Sequence, residues 1–269
     1  EKSRLLMEYL RTFTKEIEQV SVDECYMDFT SIADRYHSPV DGALEIKDGI
    51  KERFGFTVNI GISTNKLLAK MASDFRKPDR IHTLFPEEIR EKMWPLPIGE
   101  LYMAGRSSVE TLKKLEINTI GDLAQADPEL IALHLKSHGK KLWEFANGRG
   151  RDVVQAEPEE AKGIGNSTTL RADAETEEEV YAVFGELAQS VGRRLKKAGK
   201  KAGMVSMEIK YHDFRTISHQ MQLEKPSNDP DLLKDTAYSL FLEVWSGEPV
   251  RLLGIRTSKL ADESEPEQL

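Results

Sequence analysis

Hydrophobic positions along this chain change their period several times. Leu5, Leu6, Tyr9, Leu10, Phe13 and Ile17 recur at helical spacing, which predicts a first helix over residues 3–18. A second is predicted over 39–54, with Ala43, Leu44, Ile46 and Ile50 turned inward. A third starts at Asn65, runs through Leu67, Leu68, Met71 and Ala72, and stops before Lys77-Pro78. Between these, the β-branched run 56–63 reads as a strand, and 20–29 as a strand, a short break and a second strand. The result is an α/β layer with sheet strands near Asp23 and Val58. From residue 86 the pattern turns short and all-helical, over 107–115, 119–124, 128–135 and 139–147. Residues 151–161 have no apolar periodicity, and their acids and proline mark a linker. Strands over 163–170, 204–211, 217–223 and 250–258 then alternate with helices over 177–199 and 230–245. That βαββαβ order predicts a four-stranded sheet with two helices on one face. Residues 261–269 read as a disordered tail.

The fold class is therefore α+β and multidomain: residues 1–85, an all-α module over 86–150, a linker over 151–162, and an α+β module over 163–260. A length of 269 residues accommodates two or three domains. No apolar run approaches a membrane span, and Glu1-Lys2-Ser3-Arg4 is no signal peptide. The single cysteine, Cys25, excludes an intrachain disulfide framework and fits a reducing, cytoplasmic setting. The formal charge of −8 opposes a polyanionic partner at first sight, but the excess is local. Residues 152–160 and 261–269 each hold four acids and no lysine or arginine; without those eight, 38 acids face 38 bases. Six of the nine residues in 193–201 are basic, a run that suits either a solvated helix face or a phosphate contact.

The candidate chemistry sits in Val20-Ser21-Val22-Asp23-Glu24-Cys25-Tyr26-Met27-Asp28-Phe29. Consecutive strand residues point to opposite faces, so Asp23 and Glu24 cannot share one polar face. Burial of an unpaired carboxylate costs several kcal/mol, and a divalent cation would offset it. The alternative is an exposed, acid-rich turn, against which Val20, Val22, Tyr26 and Phe29 weigh.

Four segments in this order resemble the Y-family of DNA polymerases, in particular its bacterial DNA polymerase IV branch. Residues 21–28 resemble the palm hairpin, and Gly61-Ile62-Ser63-Thr64-Asn65-Lys66-Leu67-Leu68-Ala69-Lys70 through Lys77-Pro78 a second palm motif. Leu101-Tyr102-Met103-Ala104-Gly105, with Leu112 to Leu115 and Ile120 to Leu123, resembles the thumb with its helix-hairpin-helix. The last module resembles the little finger. By this resemblance 1–85 is a partial palm, 86–150 the thumb and 163–260 the little finger. The stretch resembling the family begins after the segment that carries a further catalytic aspartate and the fingers. A chain so composed is expected to bind DNA but to be catalytically incomplete.

The resemblance implies metal-dependent nucleotidyl transfer to a primer 3′-hydroxyl on damaged template, with Mg2+ in a two-metal site. Asp23 and Glu24 are then the catalytic carboxylates and metal ligands, and Lys77 reaches the triphosphate of the incoming deoxynucleotide. Asp79-Arg80 departs from the family's Asn-Gly after that proline. Asp28 is structural or pairs with a base, while Asn65, Lys66 and Lys70 either stabilise their helix or face DNA. Gly105 is the phosphate-binding glycine of a turn whose first glycine is replaced by Met103. Ser167, Thr168, Thr169, Lys210, Arg215 and Arg256 are the little-finger candidates for contact with primer-template DNA. Glu267-Gln268-Leu269 matches the start of a sliding-clamp-binding peptide. Two other readings are a non-catalytic DNA-binding repair protein and a nucleotidyl cyclase, whose palm-like fold leaves the later modules without a role.

Overall fold

A computed structural model describes residues 1–157 and 160–263. The chain divides into two compact units, Glu1–Pro158 and Glu159–Leu269.

In the first unit, α1 (Lys2–Leu10) is shorter than its periodicity suggests. Thr12 Oγ1 donates to the Tyr9 carbonyl and Thr14 Oγ1 accepts from the Glu16 amide. These hydroxyls compete with helical hydrogen bonds. Ile17 still reaches the same core as Leu6, Met7 and Leu10, but from a strand. Strands β1 (Ile17–Gln19) and β2 (Cys25–Met27) form an antiparallel ladder. Helix α2 (Pro39–Phe54) has the predicted ends: Ser38 Oγ caps Asp41 N at 3.3 Å, Pro39 opens it, and Gly55 closes it at φ 71°. Ala43, Ile46 and Ile50 are buried, but Leu44 lies off that stripe and is exposed.

The predicted strand over 56–63 contracts to β3 (Ile60–Ile62), which pairs in parallel with β4 (Ile81–Thr83). Among the described residues the two pairs of strands form separate sheets rather than the single layer predicted. Gly61 permits the close packing of β3 on α3 (Lys66–Asp74), because a Cβ there would meet the Ala69 carbonyl at 1.8 Å. Helix α3 buries Leu67, Leu68, Met71 and Ala72, as predicted, in one core with Ile89, Leu112, Ile131 and Leu142. That core is shared with the helices α4 (Arg106–Lys114), α5 (Ile120–Gln125) and α6 (Pro128–Ala146). The two helices predicted over 128–147 meet at Lys136, whose φ of 54° and ψ of −141° break the axis of α6.

The second unit has the predicted βαββαβ order: β5 (Gly163–Ala174), α7 (Glu177–Lys197), β6 (Lys200–Tyr211), β7 (Thr216–Ser227), α8 (Pro230–Val244) and β8 (Val250–Asp262). The antiparallel sheet runs β5-β8-β6-β7. Phe184, Leu187 and Val191 of α7 and Leu240 and Phe241 of α8 share a core with Met207, Ile209, Leu253 and Ile255. Helix α7 begins with a Thr176–Glu179 capping box and three glutamates, and ends with Arg194, Lys196 and Lys197, each sign complementing the helix dipole. Ala261 and Asp262, predicted to be disordered, belong to β8 and pair with Lys201 and Lys200. The Lys200–Asp262 ion pair, at 2.7 Å, adds to that ladder. The clamp-like residues 267–269 lie outside the described residues.

Candidate functional site

The hairpin joining β1 and β2 presents the two acids. Its ladder pairs Ile17 with Met27, Glu18 with Tyr26 and Gln19 with Cys25, and then stops. Beyond it, the amides of Val20 and Ser21 donate to the Glu24 carbonyl at 2.9 and 3.2 Å. Ser21 Oγ accepts from the amides of Asp23 and Glu24 at 3.3 and 3.1 Å and donates to Asp23 Oδ1 at 2.7 Å. One serine therefore shapes the tip. Asp23 and Glu24 are exposed there, and so are Val20 (51%) and Val22 (74%). This corrects the expectation of acids on a buried strand edge. Face alternation holds only within the ladder, which is three residues long, so the acids need no cation to offset burial.

Glu24 is ion-paired with Lys70 of α3, Lys70 with Asp74 at 3.4 Å, and Asp74 with Lys77 at 2.7 Å. A chain of alternating charge thus links the hairpin tip to Lys77. Burial opposes the charge on Lys70, but the hydrogen bond to Glu24 and the field of Asp74 outweigh it and raise its pKa. One turn earlier Lys66 Nζ donates to Glu18 Oε2 at 2.6 Å and lies 5.7 Å from the centre of the Tyr26 ring. Glu18 also accepts from the Gln155 amide at 2.8 Å. Burial alone would raise the Glu18 pKa, yet the bonds from Lys66 and Gln155 lower it on balance. Burial pushes the Tyr26 phenol up to about 12, with Tyr102, Glu24 and Glu18 adding to the effect. It likewise pushes the Cys25 thiol up to about 11, which leaves it unreactive. Asp28 accepts from the Thr30 amide at 2.8 Å, just ahead of the short helix Thr30–Arg35, a structural role. Asn65 Oδ1 caps α3 at Leu68 N, 2.9 Å away, while its Nδ2 donates to the Gly148 carbonyl at 3.0 Å. Asn65, Lys66 and Lys70 therefore serve the protein's own contacts.

Asp23 and Glu24 are hard oxygen donors and suit a hard divalent cation. They would hold it at the hairpin tip once Lys70 releases Glu24. Among the described residues, no group of three His, Cys, Asp or Glu side chains converges on one point.

Gly105 begins α4 at φ −71°, and a Cβ placed there meets nothing within 4 Å. Met103 adopts φ 69°, a left-handed conformation that favours glycine, and its side chain is exposed. The glycine-like backbone of the turn is kept, with a side chain added to its outer surface.

In the second unit, register places Ser167, Thr169, Lys210 and Arg256 on the sheet face away from α7 and α8. Ser167 pairs with Gly254, Thr169 with Leu252, and Lys210 with both Leu252 and Thr216. Arg256 pairs with Gly165 and Ser206. Thr168 pairs with the buried Leu253 and lies on the helix-covered face instead, as strand alternation requires for the middle of three consecutive residues. Arg215 is claimed by Glu248 through two bonds of 2.7 and 2.6 Å and lies 4.7 Å from the Tyr211 ring centre. In the basic run, Arg194 donates to the Gly165 carbonyl at 2.7 Å and Lys200 pairs with Asp262.

Sequence reasoning missed the partners: Glu18, Asp74 and Asp79, the last of which pairs with Lys47 and Lys51. The four-residue spacing of Lys66 and Lys70, which puts both on one helix face, was the available signal.

Residues 1–74 match the impB/mucB/samB family, and residues 161–269 match its C-terminal domain. The chain is 43% identical over 262 residues to DNA polymerase IV of Clostridium acetobutylicum, covering 97% of this chain and 66% of that protein. It is 39% identical over 266 residues to DNA polymerase IV 1 of Bacillus subtilis, covering 98% and 64%. With DNA polymerase IV of Alkaliphilus oremlandii the identity is 34% over 270 residues, covering 100% and 68%. The chain thus spans slightly under two thirds of the Clostridium and Bacillus relatives. Among solved structures, a Y-family DNA polymerase chimera of Dbh and Dpo4 shares the fold with a TM-score of 0.81, at 22% identity, over 97% of this chain and 76% of that one.

Proposed function

The chain belongs to the Y-family of DNA polymerases, in the branch of the DNA polymerase IV proteins, and from that premise we propose that it serves template-directed DNA synthesis across damaged template. Residues 1–85 act as palm, 86–150 as thumb and 163–260 as little finger. The observation that carries the reading is the hairpin tip, where Ser21 shapes a turn that leaves Asp23 and Glu24 exposed and an ion-pair chain joins Glu24 to Lys77. Asp23 and Glu24 would hold a cation that, when bound, would supply Lewis-acid activation of the primer 3′-hydroxyl and neutralise phosphate charge. Magnesium is the ion proposed. Lys77 meets the triphosphate of a deoxynucleotide. Ser167, Thr169, Lys210 and Arg256 present a polar, cationic sheet face to the backbone of primer-template DNA, and Thr168 supports it from beneath. The turn at Gly105 contacts phosphate through backbone amides.

Primer extension with all four deoxynucleotides and magnesium tests the reading. Extension that disappears in Asp23→Asn supports it, and extension indifferent to that change refutes it. A second reading is favoured by the ion pair that occupies Glu24 with Lys70: these 269 residues alone bind primer-template DNA and extend it poorly. Robust extension by this chain alone would dispose of that reading.

A further inference from the structure

Lys77 sits in the short link between the end of α3 and the start of β4. On one side the link is held by Lys77 itself, whose ammonium is 2.7 Å from Asp74. On the other side lies Asp79, with a left-handed φ of 59°. Such a conformation costs most residues about 1–2 kcal/mol, and aspartate is among the side chains that tolerate it. Its two carboxylate oxygens are gripped separately. Lys47 Nζ donates to Oδ1 at 3.1 Å and Lys51 Nζ to Oδ2 at 2.7 Å. The two lysines stand one turn apart on α2 and so form a fork on one helix face.

The Lys47 half of this grip is largely out of water: the side chains of Lys47 and Asp79 are 12% and 22% exposed, against 55% for Lys51. Lys47 also pairs with Asp48 at 2.7 Å, so the cluster holds two cations and two anions. The next residue continues the anchoring. Arg80 N donates to Asn59 Oδ1 at 3.2 Å, and its carbonyl accepts from Ile60 N at 2.9 Å. The backbone on the β4 side of Lys77 is thereby fixed to α2 and β3, while the Lys77 side chain remains more than half exposed. A flexible lysine placed on a rigid base loses less entropy when it engages phosphate.

We propose that Asp79, gripped by Lys47 and Lys51, is a positioning residue that sets the Lys77 ammonium for the triphosphate of the incoming nucleotide. This inference rests on the polymerase reading. Its consequence is a contribution to nucleotide binding made entirely through Lys77.

The test is single-nucleotide insertion by the full protein on a primer-template, with Asp79→Ala, Lys77→Ala and the double variant. Asp79→Ala is expected to raise the nucleotide KM roughly fivefold, the size of a coupling carried by a shared backbone shift. Neither kcat nor DNA affinity should change. In the Lys77→Ala background the same substitution should have no further effect, and Asp79→Glu should restore part of the KM. Lys51→Ala, on an exposed side chain, repeats the measurement if Asp79→Ala fails to fold. An unchanged KM, or an effect of equal size with and without Lys77, overturns the inference and leaves the polymerase reading standing. A wild-type protein that inserts no nucleotide overturns that reading, and the inference with it.

Discussion

Glu18→Gln removes one charge from beneath the hairpin that carries Asp23 and Glu24 while keeping the size of the side chain. In the native protein Glu18 joins three parts of the first unit: its own strand β1, Lys66 of α3 and the Gln155 amide. The side chains of Glu18 and Lys66 are 25% and 15% exposed, so the ion pair is mostly shielded from solvent. A charge-assisted hydrogen bond contributes about 1.5–3 kcal/mol, and partial exposure reduces it to about 1–2 kcal/mol. For a unit of this size that corresponds to roughly 2–8 °C in Tm. The assay is thermal unfolding of wild type, Glu18→Gln, Lys66→Met and the double variant, read on the transition of the first unit. The double-variant cycle should show coupling of about 1 kcal/mol or more. The pH dependence gives a second check. The folded-state pKa of Glu18 is depressed below its ordinary 4.5, so its contribution is complete above 4.5 and is lost as pH falls through the lower folded value. The gap between wild type and Glu18→Gln should therefore close in acid. A cycle that is additive to within 0.3 kcal/mol, or a gap that widens below pH 4.5, refutes the reasoning.

Four further substitutions follow from the geometry of the DNA-binding candidates. Met103→Gly relieves a left-handed φ but adds freedom to the unfolded chain, so stability should move by less than about 1 kcal/mol. DNA should bind roughly threefold tighter as the outer surface of the turn clears, about the net value of one hydrogen bond; calorimetry and fluorescence anisotropy would show both. Lys210→Ala and Arg256→Ala should each lower the slope of log affinity against log salt by about 1, uniformly across DNA sequences. Arg215→Ala should lower it by less, because Glu248 already neutralises that guanidinium.

Local signals carried much of the fold. The apolar spacing from Pro39 to Phe54 gave α2, whose ends the Ser38 cap and Gly55 set, and Asn65 marked the start of α3. The βαββαβ module was legible because each of its elements is long and strongly periodic. The hairpin misled because its ladder is three residues long, and apolar Val20 and Val22 belong to an exposed turn rather than a strand. Strand β4 was missed since it is a three-residue parallel strand, and its partner is distant in sequence. Among candidate site residues, Asp23, Glu24 and Lys77 were proposed from their motifs, whereas Glu18 and Asp79 act through tertiary ion pairs that leave no local pattern; Asp74 pairs locally, with Lys70 and Lys77. Thr168 was misplaced by treating three consecutive strand residues as one surface, and alternation separates them.

The central claim is that the exposed pair at the hairpin tip performs nucleotidyl transfer. Single-turnover insertion by Asp23→Asn, with DNA affinity measured in parallel, tests it most directly. Loss of one metal-binding carboxylate should remove several kcal/mol of transition-state stabilisation, a fall of at least about a hundredfold in rate, with DNA affinity unchanged. A rate within threefold of wild type would contradict the account.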